Sequence, residues 1–160
     1  MRSLYYEKIK SFTIDHTILE KGIYISRIDN NICTYDLRMV KPNTPPYLEN
    51  SGLHTFEHLF ATFVRNSKFS KNIVYFGPMG CRTGFYFLTF DINHSDVLQL
   101  INDTLKYICN FEGEIPGTTE KECGNYLDHN LSLAKKYSTD FLSIVSKWEE
   151  NKLYYPNYIE

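Results

Sequence analysis

The segment His54-Thr55-Phe56-Glu57-His58 holds the residues best spaced for chemistry. On a helix, positions four apart share a face, so two imidazoles there can meet one cation, with Glu57 beside them. Leu53, Phe56, Leu59 and Phe60 occupy the apolar positions, which leaves the histidines on a stripe that packing does not need. The plainer alternative is two surface histidines with a chance glutamate. A borderline-soft divalent ion takes Cys and His, with three protein groups and an open position when the site is catalytic. Cys123 is a candidate third ligand, next to Gly124, where the backbone can turn sharply or approach closely. His129 fits a ligand, a partner to the ligands or a plain surface residue. Cys81 is a second thiol of interest. It stands in Gly77-Pro78-Met79-Gly80-Cys81-Arg82-Thr83-Gly84, a tight loop rather than a core position. A cation such as Arg82 favours the thiolate if its side chain points that way.

These residues need a scaffold, and the pattern around them supplies one. Residues 22–28 and 32–40 alternate as strands across the turn Asp29-Asn30-Asn31, which predicts a hairpin. Cys33, Tyr35, Leu37 and Met39 fall on one face of the second strand and Arg38 on the other. Pro42 to Gly52 reads as a loop. Residues 53–66 switch to helical period, with Asn50 or Ser51 able to cap the start. Two further strands, 72–77 and 84–92, flank the Cys81 loop. Residues 95–109 form a second helix, with Val97, Leu98, Ile101, Leu105 and Ile108 on its apolar side. After a loop at Gly113–Gly117, helical pattern resumes near Thr119 and again over 130–148. Without a regular strand–helix–strand rhythm, this predicts an α+β fold, a mostly antiparallel sheet covered by helices.

The chain's 160 residues fit one domain, 1–160, and its 13 Tyr and 11 Phe predict a ring-rich core. A net charge of −2 and no basic stripe speak against nucleic-acid binding. No apolar run is long enough to span a membrane, and Met1 to Lys8 has no apolar h-region. Cys33, Cys81, Cys109 and Cys123 form no CxxC pair and read as cytosolic thiols, so a cytoplasmic location is expected.

Taken together, several segments resemble the LuxS family of S-ribosylhomocysteine lyases, the bacterial enzymes that make the autoinducer-2 precursor used in quorum sensing. They are Ser11-Phe12-Thr13-Ile14-Asp15-His16, Tyr35-Asp36-Leu37-Arg38, His54 to Ala61, Pro78 to Tyr86, and Cys123-Gly124 with His129. Their order and spacing agree over about residues 11–137. The resemblance implies a metal site of His54, His58 and Cys123, with Fe²⁺ preferred and Zn²⁺ or Co²⁺ able to substitute. It implies Cys81 and Glu57 as the acid/base pair, and Ser11, His16 and Arg38 as substrate-binding residues. It also implies a homodimer with active sites at the interface, the N-terminal residues reaching into the other protomer's site.

The implied reaction cleaves the thioether of S-ribosylhomocysteine to homocysteine and 4,5-dihydroxy-2,3-pentanedione, a step that also serves the methionine cycle. The ribose opens, its carbonyl migrates from C1 to C3, and homocysteine leaves C5 by β-elimination. One position departs from the family. Three residues before Pro78, members usually carry a pocket aspartate, and here Tyr75 stands in its place. A phenol supplies no carboxylate charge near neutral pH. The alternatives are therefore a catalytically impaired metal- or ligand-binding protein, and an H-x-x-E-H metallopeptidase completed by a carboxylate ligand. The Tyr-rich stretch from Leu153 to Tyr158 has no role that the sequence assigns.

Overall fold

The computed structural model describes residues 7–156, so Met1 to Tyr6, together with Asn157 and Tyr158 of the Tyr-rich stretch, lie outside the described residues. Four strands and three helices follow in the order β1 (Gly22–Asp29), β2 (Ile32–Arg38), α1 (Asn50–Arg65), β3 (Ile73–Pro78), β4 (Gly84–Phe90), α2 (His94–Cys109) and α3 (Leu131–Val145). The sheet order is β1-β2-β4-β3, and every pairing is antiparallel. This is the expected α+β layer.

The inner face of the sheet presents Ile23, Tyr35, Leu37, Phe76, Phe85 and Phe87 to the helices, all of them buried. From α1, Phe56, Leu59, Phe60 and Val64 are fully buried against them, as the helical spacing predicts. Phe60 stacks on Phe76 with centroids 3.9 Å apart and meets Phe87 edge-on at 5.3 Å. Such ring pairs add about 0.5–1.5 kcal/mol each beyond the area they bury. α1 also crosses α3 closely. A Cβ at Gly52 would lie 2.6 Å from the Leu133 Cβ, so only glycine fits there.

The other face of the sheet is not the solvated polar face that alternation alone would give. Asp36 and Arg38 are 0% and 2% exposed. Tyr155 lies on this side, stacked on Tyr24 at 5.1 Å, and Leu19 joins their cluster. The Ile25 N–H of β1 donates to the Leu153 carbonyl at 2.7 Å, so the chain's last described stretch also closes that sheet edge.

Three local expectations are corrected. α1 begins at Asn50, capped at Glu49 without a side-chain bond, so neither Asn50 nor Ser51 serves as its cap. α3 ends at Val145 rather than near 148, and the Trp148 indole N–H turns back to the Ile23 carbonyl at 2.8 Å. The segment after Thr119 is turns, not helix. Its N–H groups at Glu122 and Cys123 both bond to the Thr119 carbonyl, a single turn that does not propagate.

Candidate metal centre and thiol cavity

The second turn of α1 and the turns before α3 converge on one cluster. His54, His58, Cys123 and His129 each aim one ligand-type atom so that all four lie within 4.8 Å of one another. Cys123 Sγ is 3.4 Å from His54 Nε2. His54 Nδ1 donates to the Asp128 carbonyl and His58 Nδ1 to the Pro116 carbonyl, each at 2.9 Å. A carbonyl only accepts, so both rings carry their proton on Nδ1 and offer an Nε2 lone pair to the cluster. This is how imidazole ligands are oriented for a metal. Gly117, at φ +71°, lets the Pro116 carbonyl come this close, because a Cβ there would sit 3.3 Å from His58 Nδ1. Two Nε2 lone pairs and one sulfur suit a borderline-soft divalent ion, and no carboxylate belongs to the group.

His129 differs from its neighbours. Its ring stacks on His54 at 3.9 Å, and its Nδ1 meets Thr55 Oγ1 at 2.9 Å. Thr55 is fully buried on α1, and its hydroxyl also accepts from the Asn130 N–H at 2.9 Å. The hydroxyl's own hydrogen therefore goes to His129 Nδ1, its acceptor within reach among the described residues. That leaves a proton on Nε2, facing Cys123 Sγ at 3.9 Å. Burial, then the neighbouring His54 and His58, pulls His129 down to about 4, so it is neutral at neutral pH.

Cys81 lies elsewhere, exposed at the tip of the loop between β3 and β4. The loop is pinned by the Met39 and Val40 N–H groups, both donating to the Thr83 carbonyl at 2.9 Å. Arg82, at φ +59°, turns its guanidinium away to the Leu48 carbonyl at 3.3 Å. The cation on this thiol's side is Arg38 instead. Arg38 Nη1 donates to Thr83 Oγ1 at 2.8 Å, and Thr83 Oγ1 is 3.0 Å from Cys81 Sγ. Burial works against the Arg38 charge, but the adjoining Asp36 carboxylate outweighs it and holds the guanidinium above its ordinary pKa. Ser11, His16, Arg38, Cys81 and Thr83 line one cavity of about 550 Å³.

The candidate residues thus fall into two groups within one chain. None of the four clustered ligands lines the thiol cavity, and Glu57, half-buried beside His58, belongs to neither group. Tyr75 is 53% exposed and borders a neighbouring cavity that shares Ser11 and Tyr86, with its hydroxyl folded over Gly77. Thr55, Thr83 and Asp36 take part as well, although neither hydroxyl stands out by residue type or spacing in the sequence. Asp36 had a readable signal, since residues two apart on a strand share a face and Asp36-Leu37-Arg38 places opposite charges together.

An antiparallel sheet under helices, with an imidazole–thiol cluster on the edge of the first helix, defines an α+β protein with a site fit for a metal ion. The S-ribosylhomocysteinase (LuxS) family model matches residues 9–152. Proteins named S-ribosylhomocysteine lyase are similar along nearly their whole length. The one from Borreliella burgdorferi (strain ZS7) is 48% identical over 156 residues, 94% of this chain and 99% of that protein. That of Finegoldia magna is 47% identical over 154 residues, 93% and 98% of the two chains. That of Clostridium acetobutylicum is 44% identical over 156 residues, 94% and 99%. The chain belongs to the S-ribosylhomocysteinase (LuxS) family.

Proposed function

We propose that the protein is an S-ribosylhomocysteine lyase, cleaving the thioether to homocysteine and 4,5-dihydroxy-2,3-pentanedione. The observation that carries this is the His54, His58 and Cys123 arrangement, with both imidazole lone pairs freed by carbonyl partners and one thiol to complete the set. His129, protonated on Nε2, fits a donor to the sulfur rather than a fourth ligand, which leaves the position open that catalysis needs. When bound there, a divalent cation, Fe²⁺ by preference with Zn²⁺ or Co²⁺ as substitutes, supplies stabilisation of oxygen charge developing beside a carbonyl.

The chain's own residues do the rest. Ser11, His16 and Arg38 hold the substrate in the thiol cavity. Cys81, as thiolate, takes and returns protons on adjacent sugar carbons, and Glu57 exchanges protons from the metal side. Such proton transfers contribute about 10²–10⁴-fold each. Because the cluster and the cavity are separate in one chain, we assign the active form to a homodimer that brings the cluster of one protomer to the cavity of the other. Ser11 and His16, which line their own chain's Cys81 cavity, then serve the partner's metal. We place the enzyme in the cytoplasm, in the methionine cycle and in autoinducer synthesis. Among the described residues no helix is long and apolar enough to cross a membrane.

The test is anaerobic incubation of the Fe²⁺-loaded protein with S-ribosylhomocysteine and a thiol reagent. One thiol per substrate is expected. No thiol release would favour the second reading, a binding protein impaired at Tyr75. The peptidase reading is disfavoured because the cluster has a thiol where that class requires a carboxylate.

A further inference from the structure

Behind the thiol cavity runs a continuous chain of buried polar contacts that starts in the Tyr-rich stretch. Tyr155 Oη donates to Asp36 Oδ2 at 2.6 Å. Asp36 accepts from Arg38 Nη2 at 2.6 Å and from Arg38 Nε at 3.1 Å. Arg38 Nη1 donates to Thr83 Oγ1 at 2.8 Å, and Thr83 Oγ1 stands 3.0 Å from Cys81 Sγ. Tyr155, Asp36, Arg38 and Thr83 are 6%, 0%, 2% and 3% exposed, so water does not compete within the chain.

The direction of each bond follows from donor chemistry. The phenol donates because the carboxylate only accepts, and burial, then the Asp36 charge, keeps that phenol protonated by pushing its pKa up. The guanidinium only donates, so Thr83 must accept from it. The threonine hydrogen is then free, and the sulfur is the acceptor beside it. A thiol proton pointed at Thr83 would leave that hydrogen without a partner. Thr83 therefore donates to the sulfur, and a thiolate, with no hydrogen of its own to compete, is the stronger acceptor at that position.

We propose that Tyr155 and Thr83 are positioning residues for Cys81: the Tyr155 phenol fixes Asp36, Asp36 aims Arg38 at Thr83, and Thr83 presents its hydrogen to the sulfur. Tyr155 lies just beyond the residues matched by the family model, 9–152. The proposal deepens the lyase reading by naming what holds its thiol in the reactive form. The other titratable or charged groups around the sulfur are His16, Tyr47 and Tyr86 across the cavity, and Arg82 is turned away to Leu48.

The experiment is the pH profile of Cys81 alkylation by iodoacetamide, read by peptide mass spectrometry on the metal-loaded protein without substrate. Thr83→Val keeps the side-chain shape and removes the hydroxyl. Its alkylation midpoint is expected to rise by about one pH unit, roughly a tenfold slower reaction below the midpoint, the scale of one lost hydrogen bond to a charged group. Thr83→Ser is expected to restore the parental midpoint. Tyr155→Phe keeps the ring on Tyr24 and deletes only the hydroxyl, and its midpoint is expected to rise by a smaller amount. If Thr83→Val does not fold, Tyr155→Phe decides. Parental midpoints in the folded variants overturn the proposal, while absence of thiol release from S-ribosylhomocysteine by the parent protein overturns the lyase reading without moving these midpoints.

Discussion

Replacing Gly117 by alanine tests whether loop backbone, and not only the ligand side chains, determines metal affinity. Two effects follow from the geometry. Gly117 sits at φ +71°, where a Cβ costs about 1–2 kcal/mol. The same Cβ would lie 3.3 Å from His58 Nδ1 and 3.5 Å from its Cε1, tighter than ordinary contact. The ring must give by a few tenths of an ångström, which loosens its 2.9 Å bond to the Pro116 carbonyl and rotates Nε2 off the cluster. Loss of such an orienting partner costs roughly 10–100-fold in metal affinity. Gly113→Ala is the matched control. Gly113 is also at positive φ, +108°, but nothing lies within 4 Å of its Cβ position. It should lose stability without losing affinity. The assay is a competition titration of Co²⁺ against a chromophoric chelator under anaerobic conditions, with thermal unfolding of both metal-free variants. A strain of 1–2 kcal/mol corresponds to a fall of roughly 2–8 °C for a domain of this size. If Gly117→Ala binds Co²⁺ as tightly as the parent, the carbonyl–imidazole contact does not govern the site. Equal affinity losses in both variants would refute the reasoning too, since strain alone would then explain them.

Three further outcomes are expected. Cys81→Ala should retain its metal and lose thiol release by about 10²–10⁴-fold, and near-parental release would remove Cys81 from the mechanism. Cys123→Ser should purify with little metal by elemental analysis and with its fold intact; full metal content would exclude the sulfur as a ligand. Phe60→Ala, which empties a fully buried site stacked on Phe76, should cost about 3–5 kcal/mol in denaturant unfolding, and a loss below about 1 kcal/mol would contradict the packing described.

The parts of the fold that rest on local period were legible in the sequence. The apolar stripe of α1, the apolar side of α2 and the inward face of β2 all appear where their spacing puts them. The paired imidazoles were legible for the same reason, since a four-residue step on a regular helix fixes their common face. Cys123 was only a weak candidate from its own surroundings, and the family resemblance brought it forward, because no period links residues 58 and 123. The helix expected near Thr119 stops at one turn, because the Glu122 and Cys123 N–H groups share the Thr119 carbonyl and the chain turns again at Gly124 and Asn125 instead of propagating. Arg82 was the natural partner for Cys81 by adjacency, yet Arg38 takes that place through Thr83, a contact that depends on β2 and β4 pairing across the sheet. Burial of the Asp36 and Arg38 face was illegible because its cover comes from Tyr155, 119 positions beyond Asp36.

The stretch between α2 and α3 runs for about twenty residues without helix or strand, an unusual length inside a compact domain. Two imidazole N–H groups grip its carbonyls, and its single sulfur, that of Cys123, faces those same rings. A cation held by the rings and the sulfur would act as a clasp on this loop as well as a reagent, so metal affinity is also local folding energy. Chelation should then loosen the loop ahead of the sheet, leaving the apoprotein open to protease nicking between Gly113 and Asn130 while the stacked rings of Phe60, Phe76 and Phe85 stay packed.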